Sequence, residues 1–97
     1  MKPSPEEEEA IKAICEAMKA DSKMQVIITG HTDNRGSEDA NLDYGYRRAK
    51  ALKRYMVQQG APADNIQCES KGETEPIADN GTKEGRAVNR RATVELR

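Results

Sequence analysis

Tryptophan and phenylalanine are absent, and Tyr44, Tyr46 and Tyr55 are the whole aromatic complement. So few rings argue against a base-stacking platform for single-stranded nucleic acid. An excess of charge is missing too. Lys and Arg number 16 against 17 Asp and Glu, and the net charge of −1 leaves no basic footprint, so no nucleic-acid partner is expected. No apolar run approaches the ~20 residues of a membrane span, and no secretory h-region is present, so no direct membrane insertion by this domain is expected. His31 is the only histidine and there is no Cys-x-x-Cys, too few ligands at useful spacing for a closed zinc shell. No metal and no cofactor is expected. Cys15 and Cys68 fall on core-facing sides of their segments and read as free core thiols; a bridge would need Cα atoms within ~7 Å.

The 97 residues, 35% of them hydrophobic and 34% charged, suit one domain over 1–97 with a thin core. Met1-Lys2-Pro3-Ser4-Pro5 leads almost directly into a helix, which reads either as a domain cut from a longer protein or as a segment given its own start codon. Ser4 is the N-cap, Pro5 the first helical position and Glu7 the third residue of a capping box. Ile11, Ile14, Cys15 and Met18 form one apolar stripe, and the helix ends near Ala20 to Ser22. Met24 to Thr29 reads as an inner strand: Val26, Ile27 and Ile28 are consecutive and β-branched, so cover is expected on both faces. Gly30 and Gly36 bracket the turn that follows. A second helix runs from about Glu38 to Gln59, with Leu42, Ala49, Leu52 and Met56 buried beside Tyr46 or Tyr55, and Gly60-Ala61-Pro62 stops it. Ile66 to Ser70 and Ala92 to Leu96 alternate as half-buried strands, with a polar loop over 72–82 and a short helix over Lys83 to Arg91 between them. The fold class is α/β.

The chemistry concentrates where the first strand runs into its turn, the position at which open α/β sheets usually bind ligands. Asp33 can bond the backbone of its own turn or project into a cleft. Asn41 and Arg48, seven residues apart, share a helix face with ~10.5 Å between them along the axis. If that face packs beside the turn, Arg48 meets Asp33, either as a salt bridge that holds the loop or as half of a site. An acid and a guanidinium in one cleft suit a zwitterion: the acid accepts from an ammonium and the Arg clamps a carboxylate with a two-toothed bond. Arg86, Asn89, Arg90 and Arg91 are either a charged surface turn or a further wall of that cleft; a phosphate or nucleic-acid contact is the weaker reading, because the cluster is short and has no aromatic neighbours. His31 stands two residues from Asp33, but no serine lies in a nucleophile-elbow pattern and no catalytic set is found, so an enzyme is not expected.

Gly30-His31-Thr32-Asp33-Asn34-Arg35-Gly36-Ser37, then Asn41, then Arg47-Arg48-Ala49, resembles the OmpA-like C-terminal domain. The tail agrees through Gly72-Glu73, Pro76, Asn80, Thr82, Glu84-Gly85-Arg86 and Asn89-Arg90-Arg91, so the likeness runs from about Ser4 to Arg97. The resemblance implies a β-α-β-α-β-β domain with a mixed sheet and helices packed on it. It implies non-covalent binding of peptidoglycan in the periplasm of a diderm bacterium, as the wall anchor of an outer-membrane or envelope protein. By the same resemblance, Asp33 and Arg48, fifteen residues apart, hold the diaminopimelate of the stem peptide, Asn41 and Arg90 fall on the family's motif positions, and Thr32 lines the pocket.

Two places depart from the family pattern. Tyr44-Gly45 stands where relatives have Leu-Ser or Leu-Gly, and the family's first strand, with its Phe-Asp segment, has no counterpart. An open strand position can be filled by a neighbouring chain, which makes a homo-oligomer through that edge a partner to consider. The alternative function that follows is an interaction or oligomerisation domain with a weakened or lost wall site. A wall-acting enzyme using His31 and Asp33 is the remaining rival.

Overall fold

A computed structural model describes residues 4–97; Met1 to Pro3, where the reading of a cut terminus begins, lie outside the described residues. Helix α1 (Pro5–Ala20) opens as its sequence dictates. Ser4 Oγ accepts the Glu7 N–H at 3.2 Å, Pro5 occupies the first turn, and Glu6, Glu7 and Glu8 sit at its positive end. Strand β1 (Val26–His31) follows, then helix α2 (Glu38–Gln58), a 3-10 turn over Ala63–Asn65, strand β2 (Ile66–Gly72), helix α3 (Lys83–Asn89) and strand β3 (Ala92–Leu96).

The sheet is mixed, in the order β2-β1-β3. β1 runs parallel to β2, Val26 opposite Ile66 and Ile28 opposite Cys68, and antiparallel to β3, Ile28 opposite Val94. One face of the sheet takes the helices. Val26, Ile28, Ile66, Cys68, Ala92 and Val94 meet Ile11, Cys15 and Met18 of α1 and Ala49 and Met56 of α2. The cover expected on both faces of β1 is therefore one-sided. Ile27 is buried on the other face, yet it stands outside this cluster and its ladder partners Gln67 and Glu95 are exposed. It is the flanking strands that shield it, since β1 is central. Cys15 and Cys68 are free, as expected, and burial pushes both thiols up, which keeps them in their unreactive form.

The turn does not begin at Gly30. β1 continues through Gly30, which pairs with Ser70 and Ala92. The reason that position is glycine lies across the layer. A Cβ on Gly30 would stand 1.6 Å from the Gly45 carbonyl oxygen, and one on Gly45 would stand 2.2 Å from Ser70 Oγ and 2.8 Å from the Gly30 oxygen. Helix and strand touch backbone to backbone, which glycine alone permits. The same contact corrects the buried stripe of α2. Leu42 and Tyr46 are 43% and 39% exposed; the buried face is Asn41, Gly45, Ala49 and Met56. Ala49, Leu52 and Met56 lie on the core as expected, and only the first half of the stripe differs, where Asn41 and Gly45 take the inward positions.

Both ends of α2 are capped by local chemistry. Ser37 Oγ accepts the Ala40 N–H at 3.1 Å. At the other end Gly60 takes φ 101°, and the Gly60 and Ala61 N–H groups reach Val57 and Met56 carbonyls, closing the helix in a Schellman motif.

Gly30→Ala is expected to lower the free energy of unfolding by about 3 kcal/mol or to abolish folding, because backbone on backbone has no side chain to yield. Urea denaturation followed by circular dichroism measures it; a wild-type midpoint in the variant would show that the layer can separate freely.

Candidate functional site

Beyond His31 the chain leaves the sheet, and three consecutive polar residues, His31, Thr32 and Asp33, are buried at 3%, 6% and 4% exposure. Their backbone is held on both sides. The His31 N–H donates to the Arg91 carbonyl at 2.8 Å, and the Thr32 N–H to the Gly72 carbonyl at 2.9 Å. The ends of all three strands thus converge on the turn. Thr32 Oγ1 donates to the Asp33 carbonyl at 2.8 Å, fixing the turn rather than opening towards solvent.

Asp33 is the centre. Its Oδ1 accepts the Arg35 N–H at 3.0 Å, the Asx-type bond that its sequence position suggests. Its Oδ2 accepts from Arg90 Nη1 at 2.8 Å and from Arg35 Nη2 and Nε at 3.1 and 3.3 Å. Burial alone would push this carboxyl up. The Arg35 backbone N–H and the Arg90 and Arg35 guanidinium groups outweigh it and hold the value at about 2.

Arg48 does not pair with Asp33. Its Nη1 donates to the His31 carbonyl oxygen, and among the described residues it makes no ion pair. Burial pushes its pKa down, the nearby Arg90 adds to this, and Asp33 opposes it, so Arg48, Arg90 and Asp33 share one electrostatic neighbourhood. The Asp33–Arg48 salt bridge weighed from the sequence is absent; Asp33 pairs instead with Arg90, from across the fold, and with Arg35, from its own turn. Two guanidinium groups contact one carboxylate and a third, on Arg48, lies in the same neighbourhood, which leaves positive charge to spare for a ligand's anionic group.

Asn41, at the start of α2, is buried and donates through Nδ2 to Glu73 Oε1 at 3.0 Å. Its Oδ1 stands 3.8 Å from where a Cβ on Gly36 would be, so the amide backs the turn. Gly36 itself takes φ 93°, which lets the chain reverse into α2.

Of the basic cluster at the end of the chain, only Arg90 reaches Asp33. Arg86 Nη1 donates to the Asn80 carbonyl at 3.0 Å and Arg91 Nη2 to the Glu75 carbonyl at 3.1 Å, so both fasten the 72–82 loop. Asn89 is fully enclosed. Its Oδ1 accepts from the Ile77 and Ala78 N–H groups at 2.9 and 3.0 Å, and its Nδ2 donates to the Ala78 carbonyl and to Asn80 Oδ1. That bolt sets the backbone from which Arg90 projects. Arg35 and Glu73 complete the cluster, and nothing in residue spacing singles either of them out.

His31 and Asp33 do not form a catalytic pair. The carboxylate is engaged by arginines, and buried His31 Nδ1 has no hydrogen-bond partner. Burial, with Arg91 adding to it, pushes the imidazole pKa down and keeps it neutral.

A sequence profile of the OmpA family matches residues 4–90. The peptidoglycan-binding protein ArfA of Mycobacterium tuberculosis is 39% identical over 90 residues, which is 93% of this chain and 28% of that protein. The peptidoglycan-associated lipoprotein of Pseudomonas putida is 39% identical over 93 residues, 96% of this chain and 54% of that protein. The chain therefore spans about half or less of the length of these curated relatives. The crystal structure of the peptidoglycan-associated lipoprotein from Burkholderia pseudomallei superposes with a TM-score of 0.87 at 26% identity, over 97% of this chain and 80% of that one. The mixed sheet and its helices match that structure in architecture.

Asp33 has a folded-state pKa below its ordinary 3.8, so its contribution to stability is present above about pH 4 and is lost as pH falls through about 2. The contribution is about 2 kcal/mol. Thermal unfolding of wild type and Asp33→Asn between pH 5 and 2, in steps of about 0.5, checks it. The wild-type midpoint is expected to fall more steeply; parallel curves would mean that the carboxylate is not held by its arginines.

Proposed function

The chain belongs to the OmpA family, and from that premise we propose that it binds peptidoglycan non-covalently through the diaminopimelate of the stem peptide. The observation that carries this reading is a single buried carboxylate, Asp33, with the guanidinium groups of Arg90 and Arg48 beside it. The side-chain end of diaminopimelate is a zwitterion: an ammonium and a carboxylate on one carbon. Asp33 accepts from the ammonium. Arg48 takes the carboxylate, with Arg90 as the second cation at hand. Thr32 shapes the turn that presents Asp33, and Asn41 supports that turn from α2.

Binding needs no bond-making step, and the residues present fit recognition better than catalysis. The one imidazole makes no contact with the Asp33 carboxylate, which is engaged by arginines instead. We place the domain in the periplasm as the wall-binding part of an envelope-associated protein. No helix of the described residues is long and apolar enough to cross a membrane.

Selectivity follows from the carboxylate. A lysine stem ends in a bare ammonium, which leaves Arg48 desolvated without its anion. Calorimetric titration with diaminopimelate- and lysine-type stem peptides tests the reading. The diaminopimelate form is expected to bind at least about tenfold more tightly, and Arg48→Ala to weaken it by about tenfold to a hundredfold. Equal affinity for the two peptides, or a folded Arg48→Ala that binds as wild type does, would refute the assignment. Absence of binding together with a mass that grows with concentration would point to an assembly domain instead.

A further inference from the structure

We propose that Arg35 is a built-in stand-in for the ligand's ammonium: its guanidinium closes the Asp33 carboxylate while the site is empty and swings off it to admit a ligand. This rests on the reading of Asp33 as the ammonium acceptor.

Oδ2 of the Asp33 carboxylate is full. The side chain is 6% exposed, and the carboxylate receives four hydrogen bonds, three of them on Oδ2. A carboxylate offers about four acceptor positions. Oδ2, with three donors, takes no more, so a ligand cation that uses this oxygen must first displace one of them.

The structure distinguishes which donor that is. Arg90 comes from 57 residues away in sequence, its side chain is 34% exposed, and its contact is the shorter at 2.8 Å. Its backbone is set by the fully enclosed Asn89. Arg35 belongs to the same turn as Asp33, its side chain is 65% exposed, and its contacts are 3.1 and 3.3 Å. Rotation about side-chain bonds removes it without disturbing the Arg35 N–H bond to Oδ1, so the turn keeps its shape. An ammonium then replaces a guanidinium, one positive charge for another. The carboxylate stays balanced throughout, and the swap costs far less than opening an unpaired buried charge.

The consequence is a conformational tax on affinity. Apparent affinity falls by the fraction of molecules whose site is open, and a site closed nine times in ten loses on the order of tenfold. Arg35→Ala removes the competitor and leaves Asp33 paired with Arg90. Arg35→Lys keeps the charge but loses the forked contact, and falls between.

The experiment is calorimetric titration of the full chain, wild type, Arg35→Lys and Arg35→Ala, with the diaminopimelate-type stem peptide. In parallel, NMR follows the Arg35 Nε–H signal of wild type. Support consists of affinity rising about three- to tenfold in Arg35→Ala, together with an Nε–H that is protected in the empty protein and exchanges rapidly at saturation. Binding by Arg35→Ala where wild type shows none also supports it. Wild-type binding that Arg35→Ala matches or weakens overturns the proposal while leaving the wall-binding function standing, because Arg35 would then be a bystander or a ligand contact. Failure of both proteins to bind, each with a native spectrum, overturns the proposal and the wall-binding function together.

Discussion

Helix α2 and strand β1 meet at Gly30 and Gly45 with no side chain between them. That contact fixes the distance between the helix layer and the sheet, and the site inherits its dimensions. Arg48 lies three residues beyond Gly45 on the same side of the helix, close enough for its guanidinium to reach the His31 carbonyl at the end of β1. Asn41 lies four residues before Gly45 and reaches Glu73, just beyond β2. One close approach therefore places two polar residues of α2 beside the ends of two strands. A larger residue at either glycine would lift the helix and carry both away from the turn.

The electrostatics follow from where the carboxylate is put. A buried acid is costly unless it is paired, and Asp33 is paired by residues of different origin. Arg35 is local, and Arg90 arrives through α3. The Asp33–Arg90 contact thus joins the turn after β1 to the segment leading into β3, while also presenting a cation beside the acid. Arg48 adds a third guanidinium that spends its bond on a backbone carbonyl rather than on the acid, so its charge is uncompensated by its nearest partner. Asp33 remains ionised and His31 neutral across the physiological range, and the balance of charge at the turn is set by geometry rather than by pH.

Much of this was legible from residue order. Caps at Ser4 and Gly60, the alternation in β2 and β3 and the β-branched run of β1 are local signals, and local signals survive folding. Asp33 and Arg90 were legible through motif and chemistry. Arg48 was legible as a member of the neighbourhood but not as a partner of the His31 carbonyl, because side-chain reach depends on how far apart two layers stand. Gly30 looked like a turn residue for the same reason: in sequence a glycine forced by a neighbouring backbone is indistinguishable from one that reverses the chain. Hydrophobicity places Leu42 in the core and leaves Tyr46 and Tyr55 as alternatives; Tyr55 packs there, whereas steric closeness favours Asn41 and Gly45 over Leu42 and Tyr46. Arg35, an exposed basic residue in a turn, carries no periodic signal at all.

The two arginines on Asp33 divide the work by their distance along the chain. Arg90 ties together elements that are remote in sequence, so removing it cuts the side-chain link between the turn after β1 and the segment leading into β3. Arg35 ties Asp33 only to its own turn, and the backbone N–H that shapes the turn is independent of its side chain. Stability and accessibility at one carboxylate are thereby assigned to separate side chains. A ligand that replaces the local arginine leaves the long-range tie intact, and its binding adds to the stability of the fold instead of drawing on it.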